Sequence, residues 1–305
     1  MNKLRIIFMG TPEFAIPSLD ILVRNEYDIA AVITAVDKPK GRGRILSPSP
    51  VKAYALGQDI PVLQPGNLKN QEFLEKLRGF NANLQVVVAF RMLPEAVWAM
   101  PEYGTFNLHA SLLPQYRGAA PINWVLINGE KMTGLTTFFI KQDIDTGNII
   151  LQEAEPVFPD DDAGSLHDRL MMHGAELVLK TVKAIEKGNY HLRKQEDKAD
   201  LKPAPKINRK MCRINWSQSQ ADVFDFVRGL SPYPAAWTII NEHVFKIFRI
   251  VPAEKSTDMK PGTFRTDNKD YIHFQCNDGL VSIEEWQPEG KRRMTVRDFF
   301  RGNQL

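Results

Sequence analysis

The chain has 305 residues, of which 43% are hydrophobic and 25% are charged, and its formal net charge is +3. This composition is that of an ordinary folded globular protein, and no apolar run approaches the ~20 residues of a membrane-spanning helix. A disordered, fibrous or membrane-embedded chain is therefore not expected, and the length favours two domains.

Apolar strands and helical patterns alternate through the first part of the chain. In chain order, the patterns predict a strand at 4–9, a helix at 16–23, strands at 29–36, 84–90 and 106–109, a helix at 122–127 and a strand at 134–140. The Val-rich run at 84–90 is typical of a strand that is buried on both faces of a parallel sheet. The alternation predicts an α/β fold with a doubly wound, mostly parallel sheet. Ligands of such sheets bind beyond the carboxyl ends of the strands, where we expect both His109 and the turn at 143–147 to lie.

The second part of the chain has a different pattern. A long helix is predicted at 165–187, and the polar, proline-containing segment at 191–208 is predicted to be a linker. Beyond it the patterns predict a helix at 217–230 and strands at 243–251, 270–276 and 280–286. These short strands, separated by turn residues, predict a small antiparallel sheet or barrel. We therefore expect one domain at 1–190 and another at 209–305.

Basic residues are concentrated in two places. Residues 202–305 contain 17 Lys and Arg against 12 Asp and Glu, whereas the rest of the chain contains 22 against 24. The Gly- and Pro-rich loop at 37–50 also carries four cations, which are Lys38, Lys40, Arg42 and Arg44. Such surfaces are typical of proteins that grip a phosphate backbone. A solvated loop and a chance imbalance explain the charge alone equally well.

The segment 106–148 combines the side chains that acid–base chemistry needs. Asn107 and His109 share one face of a predicted strand, and Ser111-Leu112-Leu113-Pro114 follows directly as a binding-loop pattern. Asp145 lies in the turn after the next strand. An amide can stabilise an oxyanion, an imidazole can move a proton, and a carboxylate can orient that imidazole. Each residue taken alone also fits a structural role, and Asp143 fits the spacing as well as Asp145 does.

Several other classes of site are not indicated. The chain has neither GxGxxG nor GxxxxGK[ST], so dinucleotide and phosphate-loop chemistry is not expected. His167 and His173 lie six positions apart on the long predicted helix and do not share a face, so no metal site is predicted. Cys212 and Cys276 are in no metal-ligand spacing, and we expect reduced thiols in a cytoplasmic protein. The opening segment reads as a first strand rather than as a signal peptide.

The motif NLHASLLPQYRGAAPI at 107–122, followed by QDIDTG at 142–147, is similar to the folate-dependent formyltransferases. The likeness extends almost end to end, through FMGTPEFA at 8–15, the basic loop and the stretch at 214–237. It implies a Rossmann-like, folate-binding catalytic domain at 1–190 and an OB-like β-barrel at 209–305. It implies 10-formyltetrahydrofolate as the formyl donor and no metal. The residues to which it assigns functions are catalytic Asn107, His109 and Asp145, and folate-binding Ser111, Leu112, Leu113 and Pro114.

The basic loop and the basic C-terminal part resemble those of the family members that act on tRNA. This resemblance implies transfer of the formyl group to the α-amino group of methionyl-initiator-tRNA by a monomeric translation-initiation enzyme without a membrane partner. It places Arg42 in the loop that enters the acceptor stem and Lys206 at a linker position near the tRNA. Three alternatives remain open: a sugar-nucleotide N-formyltransferase, which the helix at 123–130 resembles, a formyltetrahydrofolate hydrolase, and a non-catalytic RNA-binding protein.

Overall fold

The computed structural model describes residues 3–40, 45–196, 199–254 and 259–305. The chain forms two compact units, each assembled from several segments. The first unit comprises Met1–Gly118, Thr133–Glu155 and His167–Pro203, and the second comprises Ala119–Met132, Pro156–Leu166 and Ala204–Leu305. The division into one domain at 1–190 and another at 209–305 remains a prediction. Within the described ranges, no helix is both long and apolar enough to cross a membrane.

The elements follow one another as strands interleaved with helices. The strands are β1 (Arg5–Gly10), β2 (Asp28–Ile33), β3 (Lys38–Lys40), β4 (Ile45–Ser47), β5 (Val62–Leu63), β6 (Leu84–Val88), β7 (Thr105–His109), β8 (Met132–Phe139), β9 (Ile149–Pro156), β10 (Ala236–Ile240), β11 (His243–Pro252), β12 (Phe264–Thr266), β13 (Ile272–Gln275), β14 (Leu280–Pro288) and β15 (Met294–Thr295). The helices are α1 (Ile16–Arg24), α2 (Pro50–Gly57), α3 (Gln71–Gly79), α4 (Glu95–Trp98), α5 (Pro121–Ile127), α6 (Ala163–Lys187), α7 (Gln220–Leu230) and α8 (Val296–Phe300), with 3₁₀ turns at Glu13–Ala15 and Arg209–Cys212.

The first unit contains a seven-stranded sheet in the order β5-β2-β1-β6-β7-β8-β9. Strands β2, β1, β6 and β7 are parallel to one another, and β5 is parallel to β2. All five residues of β6 are buried, as its Val-rich sequence predicts. Strand β8 runs antiparallel to its neighbour β7. The predicted doubly wound, mostly parallel α/β sheet is therefore confirmed.

Helix starts in both units use side-chain caps. The side chains of Ser49, Asn70 and Ser219 each accept a hydrogen bond from a backbone N–H in the first turn of α2, α3 and α7. Such caps satisfy backbone donors that a helix start leaves without a partner. The cap at Ser219 also explains why α7 begins three residues later than the predicted helix at 217–230. The predicted helix at 165–187 is confirmed as α6.

The second unit contains an antiparallel sheet in the order β10-β11-β14-β13-β12, and β15 pairs with β14. The register of β11 against β14 shifts between Ile247 and Ile250, and such bulges bend a strand and increase its twist. Trp286 and Phe274 are fully buried in the core beneath this sheet. The antiparallel architecture predicted for the C-terminal part is confirmed as a curled sheet.

The two ends of the basic loop at 37–50 carry short strands that the sequence patterns did not predict. Its ends form the antiparallel pair β3 and β4, because the backbone groups on the two sides of the loop hydrogen-bond to each other. The Asp37 carboxylate accepts a hydrogen bond from the Lys52 ammonium at 2.6 Å and one from the Gln64 amide at 2.8 Å. These two hydrogen bonds, with Lys52 as the larger influence, lower the pKa of Asp37. Arg42 and Arg44 lie outside the described residues.

Candidate active site

Strand β7 carries the predicted amide and imidazole. It lies between β6 and β8, where Asn107 is opposite Val87 and His109 is opposite Thr136. Alternate residues of a strand point to the same face, so Asn107 and His109 lie side by side. His109 is buried and Asn107 is half-buried. Within the described part of the chain the Asn107 amide makes no hydrogen bond, so its N–H groups are available to a ligand.

The hydrogen bond of His109 determines which ring nitrogen is available for reaction. Nε2 lies 2.8 Å from the backbone carbonyl oxygen of Tyr116. A carbonyl oxygen can only accept, so Nε2 carries the hydrogen and the neutral ring has its lone pair on Nδ1. Nδ1 faces the Asp145 carboxylate, with 3.8 Å between Nδ1 and Oδ2. The ring is thereby fixed in a tautomer whose basic nitrogen is next to a negative charge.

Asp145 is held by a hydrogen bond from the loop that follows β7. Its carboxylate accepts a hydrogen bond from the backbone N–H of Gly118 at 3.0 Å, through the same Oδ2 that faces His109. Its backbone has φ +53°, in the left-handed region that Asp tolerates better than most residues. Asp143, the other carboxylate that the spacing allowed, is exposed. Of the two, Asp145 is the one that faces the imidazole.

The turn that carries Asp145 does not start where the sequence placed it. We expected it at the carboxyl ends of the strands, beside the end of β7. Because β8 runs antiparallel to β7, Phe139 at its end lies opposite Phe106 near the start of β7. His109 is three residues further along, roughly 10 Å away at the rise of a strand. The loop after β8 must fold back over the sheet to bring Asp145 to His109.

Close packing of Gly147 accompanies this return of the loop. A Cβ atom at Gly147 would lie 1.6 Å from the carbonyl oxygen of Phe139, a distance that no side chain can tolerate. The backbone of the loop therefore runs directly against the end of β8. Glycine is required here because of this approach.

The predicted folate-binding loop at 111–114 is held by hydrogen bonds from side chains of β8 and β9. Thr136 donates a hydrogen bond to the carbonyl of Ser111 at 2.6 Å, and Gln152 donates one to the carbonyl of Leu113 at 2.9 Å. The Ser111 hydroxyl is fully buried and donates to the carbonyl of Gln115. Leu113 is buried too, whereas Leu112 and Pro114 are half-exposed. The loop is therefore preformed, and Leu112 and Pro114 are the members that a ligand can contact.

The structure adds site residues to those identified from the sequence. The carbonyl of Tyr116 holds His109, and the N–H of Gly118 holds Asp145. Both residues lie inside the motif at 107–122, but the sequence assigned neither of them a role. Gln195 donates to the carbonyls of Asp145 and Gly147, at 2.8 Å each. It comes from the predicted linker, 50 positions from Asp145. No pattern in the polar segment around Gln195 indicates this contact.

The two residues expected to contact tRNA are Arg42 and Lys206. Lys206 belongs to the second unit and is exposed. Arg42 is outside the described residues. The structure therefore brings His109 and Asp145 together, with Asn107 beside them, in the first unit, whereas Lys206 belongs to the second.

Other reactive groups are accounted for by structure. Across the described ranges, no group of three or more His, Cys, Asp and Glu side chains is arranged to hold a metal ion. His173 pairs with Glu155, and His167 pairs with Asp168. Both cysteines are buried and free of disulfides, and burial raises the pKa of Cys276 to about 12. A thiol so hard to ionise is not a nucleophile at neutral pH.

Sequence models of one family match both parts of the chain. The sequence model of the formyl transferase family matches residues 3–182, and that of the formyl transferase C-terminal domain matches residues 206–304. The chain therefore belongs to the formyltransferase family.

The chain is also similar to individual relatives over nearly its whole length. Methionyl-tRNA formyltransferase of Bacteroides fragilis is 50% identical over 312 residues, which cover 100% of this chain and 96% of the relative. The enzyme of the same name from Parabacteroides distasonis is 51% identical over 311 residues, covering 99% and 96%. In a solved structure, the sugar 3N-formyl transferase WlaRD, in the presence of dTDP and 5-N-formyl-THF, has a similar fold. Its TM-score is 0.68 at 22% identity, over 96% of this chain and 100% of that one.

Proposed function

We propose that this protein transfers the formyl group of 10-formyltetrahydrofolate to the α-amino group of methionyl-initiator-tRNA, giving formylmethionyl-tRNA for translation initiation. The observation that carries the proposal is the half-identity, over almost the whole chain, to methionyl-tRNA formyltransferases. We further propose that the protein is a cytoplasmic monomer. In this proposal residues 1–190 form the folate-binding catalytic domain, 191–208 the linker and 209–305 the tRNA-binding domain.

The reaction needs one bond to form and one to break. The neutral amine of the methionyl group attacks the formyl carbon, and the carbonyl oxygen becomes an oxyanion. The bond to N10 of the folate then breaks, so that N10 gains a proton and the amine loses one. The enzyme must therefore stabilise the oxyanion and move protons between two nitrogens.

We assign these tasks to Asn107, His109 and Asp145. The Asn107 amide donates to the oxyanion, a contribution whose loss typically costs ~10²–10³ in rate. His109 accepts the amine proton at Nδ1, because Nε2 is engaged with the carbonyl of Tyr116. The proton passes directly or through a water hydrogen-bonded to the Asp145 carboxylate. Asp145 then stabilises the imidazolium, at 3.8 Å from Nδ1.

The folate and tRNA contacts follow from exposure and charge. We propose that Leu112 and Pro114 contact the folate, while buried Ser111 and Leu113 hold the loop in shape. Arg42 and Lys206 are proposed to contact tRNA phosphates, together with the excess of basic residues over 202–305. Such contacts release counterions, so tRNA binding should weaken steeply with salt.

The decisive experiment offers the purified protein two acceptors with 10-formyltetrahydrofolate. One is methionyl-initiator-tRNA. The other is a 3-amino-sugar nucleotide, because a sugar 3N-formyl transferase has a similar fold. We expect formylmethionyl-tRNA only, formed ~10²–10⁴-fold more slowly by His109→Ala. Product from the sugar alone would overturn the tRNA assignment, and formate released without either acceptor would identify a hydrolase.

A further inference from the structure

We propose that Gln195 is a positioning residue for the formyl-transfer reaction, because its amide fixes the turn that holds Asp145 beside His109. The inference rests on the proposed function, since it concerns the geometry of the same site. Gln195 does not touch the reacting atoms. Its effect would pass through Asp145 and Arg117.

The amide of Gln195 uses its full hydrogen-bonding capacity. Nε2 donates one hydrogen to the carbonyl of Asp145 and the other to the carbonyl of Gly147, each at 2.8 Å. Oε1 accepts two hydrogen bonds from the Arg117 guanidinium, at 3.0 Å from Nε and 2.8 Å from Nη2. A flipped amide would set N–H against N–H and oxygen against oxygen, so its orientation is unambiguous. Gln195 is only 6% exposed, so water cannot easily replace these partners.

These bonds join the two segments that flank the His109 ring. Arg117 lies between Tyr116, whose carbonyl accepts from His109 Nε2, and Gly118, whose N–H donates to Asp145. On the other side, Gln195 holds the backbone of the turn whose carboxylate faces Nδ1. Gln195 therefore sets the distance between the carbonyl and the carboxylate that contact the imidazole.

The turn needs an external support of this kind. Residues 141–144 ahead of Asp145 are exposed, and Asp145 itself has the left-handed φ of +53°. Left-handed backbone for a residue with a side chain persists where surrounding contacts enforce it. The two bonds from Gln195 are such contacts, and they act on the carbonyls on both sides of Thr146.

Gln195 can act as a support because its own segment is anchored. The backbones of Arg193 and Ile149 exchange two hydrogen bonds, at 2.8 and 3.0 Å. Further on, the Lys202 carbonyl accepts from the N–H of Tyr116 at 2.7 Å, and the N–H of Lys202 donates to the Gln115 side chain. The segment expected to be a linker is therefore attached to the site on both sides of Gln195.

The test substitutes Gln195→Glu, which keeps the length of the side chain and an acceptor for Arg117. It loses both donors and places a negative charge against two carbonyls. We expect kcat for formylmethionyl-tRNA to fall about ten- to a hundredfold, the loss typical of a misplacement near 1 Å. The KM values for tRNA and folate should stay within about twofold. The pH at which kcat reaches half its maximum should move, because the charge beside His109 is no longer held in place.

A matched control changes a buried glutamine outside the site. Gln275 is 2% exposed, and its amide donates to the carbonyl of Cys276 at 2.7 Å in the second unit. Gln275→Glu should lower the thermal unfolding temperature, while kcat and its pH profile stay those of the wild type. Gln195→Met, uncharged and of similar length, provides a second variant in case Gln195→Glu does not fold.

The outcomes separate this inference from the function on which it rests. A wild type that formylates methionyl-tRNA, with folded Gln195 variants that match its kcat and pH profile, would overturn the positioning role alone. Loss of kcat with a moved pH profile, absent in Gln275→Glu, would support it. A wild type that formylates no tRNA overturns the proposed function, and the inference with it.

Discussion

Replacing Asp145 by Asn removes one charge from the site while preserving its shape. The Asn side chain retains an oxygen that can accept from Gly118, but the negative charge 3.8 Å from His109 Nδ1 is lost. At an effective dielectric constant of about 20, a unit charge pair at this distance interacts by about 4 kcal/mol. Both side chains are largely buried, so this dielectric constant is the appropriate one. Divided by 1.36 kcal/mol per decade, the interaction corresponds to ~10³ in rate if a full imidazolium forms.

The expected fall in kcat is therefore ~10²–10³, because the imidazolium is only partly developed in the transition state. The assay is single-turnover formylation of methionyl-tRNA at saturating 10-formyltetrahydrofolate, which isolates the chemical step from product release. Asp143→Asn is the matched control, since Asp143 lies two positions away in the same loop and is exposed. Its kcat should remain within about twofold of the wild type.

Two results would refute this reasoning. One is a folded Asp145→Asn enzyme that keeps more than about a tenth of wild-type kcat, because a positioned charge partner should contribute more than that. The other is an equal loss in Asp143→Asn. That result would mean that the loop as a whole, rather than the charge beside His109, supports the reaction.

Three further outcomes are expected. His109→Ala should remain folded but lose ~10²–10⁴ in kcat, and thermal unfolding beside the kinetic assay would reveal a collapse of structure instead. Arg42→Ala should raise the KM for tRNA, make that KM less dependent on salt and leave kcat unchanged. A KM for tRNA equal to that of the wild type would contradict a phosphate contact. Gly147→Ala should lower the thermal unfolding temperature, because its Cβ would collide with the carbonyl of Phe139. Gly57→Ala, with no atom within 4 Å of its Cβ, is the control and should not destabilise the protein.

Much of the fold follows from local pattern. The Val-rich run at 84–90 predicted a strand covered on both faces, and β6 is buried at all five positions. A covered strand implies helices on both faces of a parallel sheet. The helical patterns at 165–187 and 217–230 predicted α6 and α7 from the sequence as well. Their ends differ by a few residues, because caps such as Ser219 decide where a helix begins.

Part of the site follows from local pattern too. Alternation along a strand places Asn107 and His109 on one face regardless of the rest of the protein. The proline-containing turn after them marks a binding loop, and the motif as a whole indicates the formyltransferase family. What spacing could not do was choose between Asp143 and Asp145, since both occur in the same short turn.

Tertiary structure decided how these pieces meet. The direction of β8 relative to β7 sends the next loop out at the opposite end of the strand, and its return places Asp145, not Asp143, beside His109. The segment around Gln195 is polar and rich in charge, so it reads as solvated linker. In the folded chain its amide binds backbone carbonyls that lie 48 and 50 positions away in sequence. Any residue has such carbonyls, so no side-chain pattern indicates this partner, and only the folded chain brings donor and acceptor together.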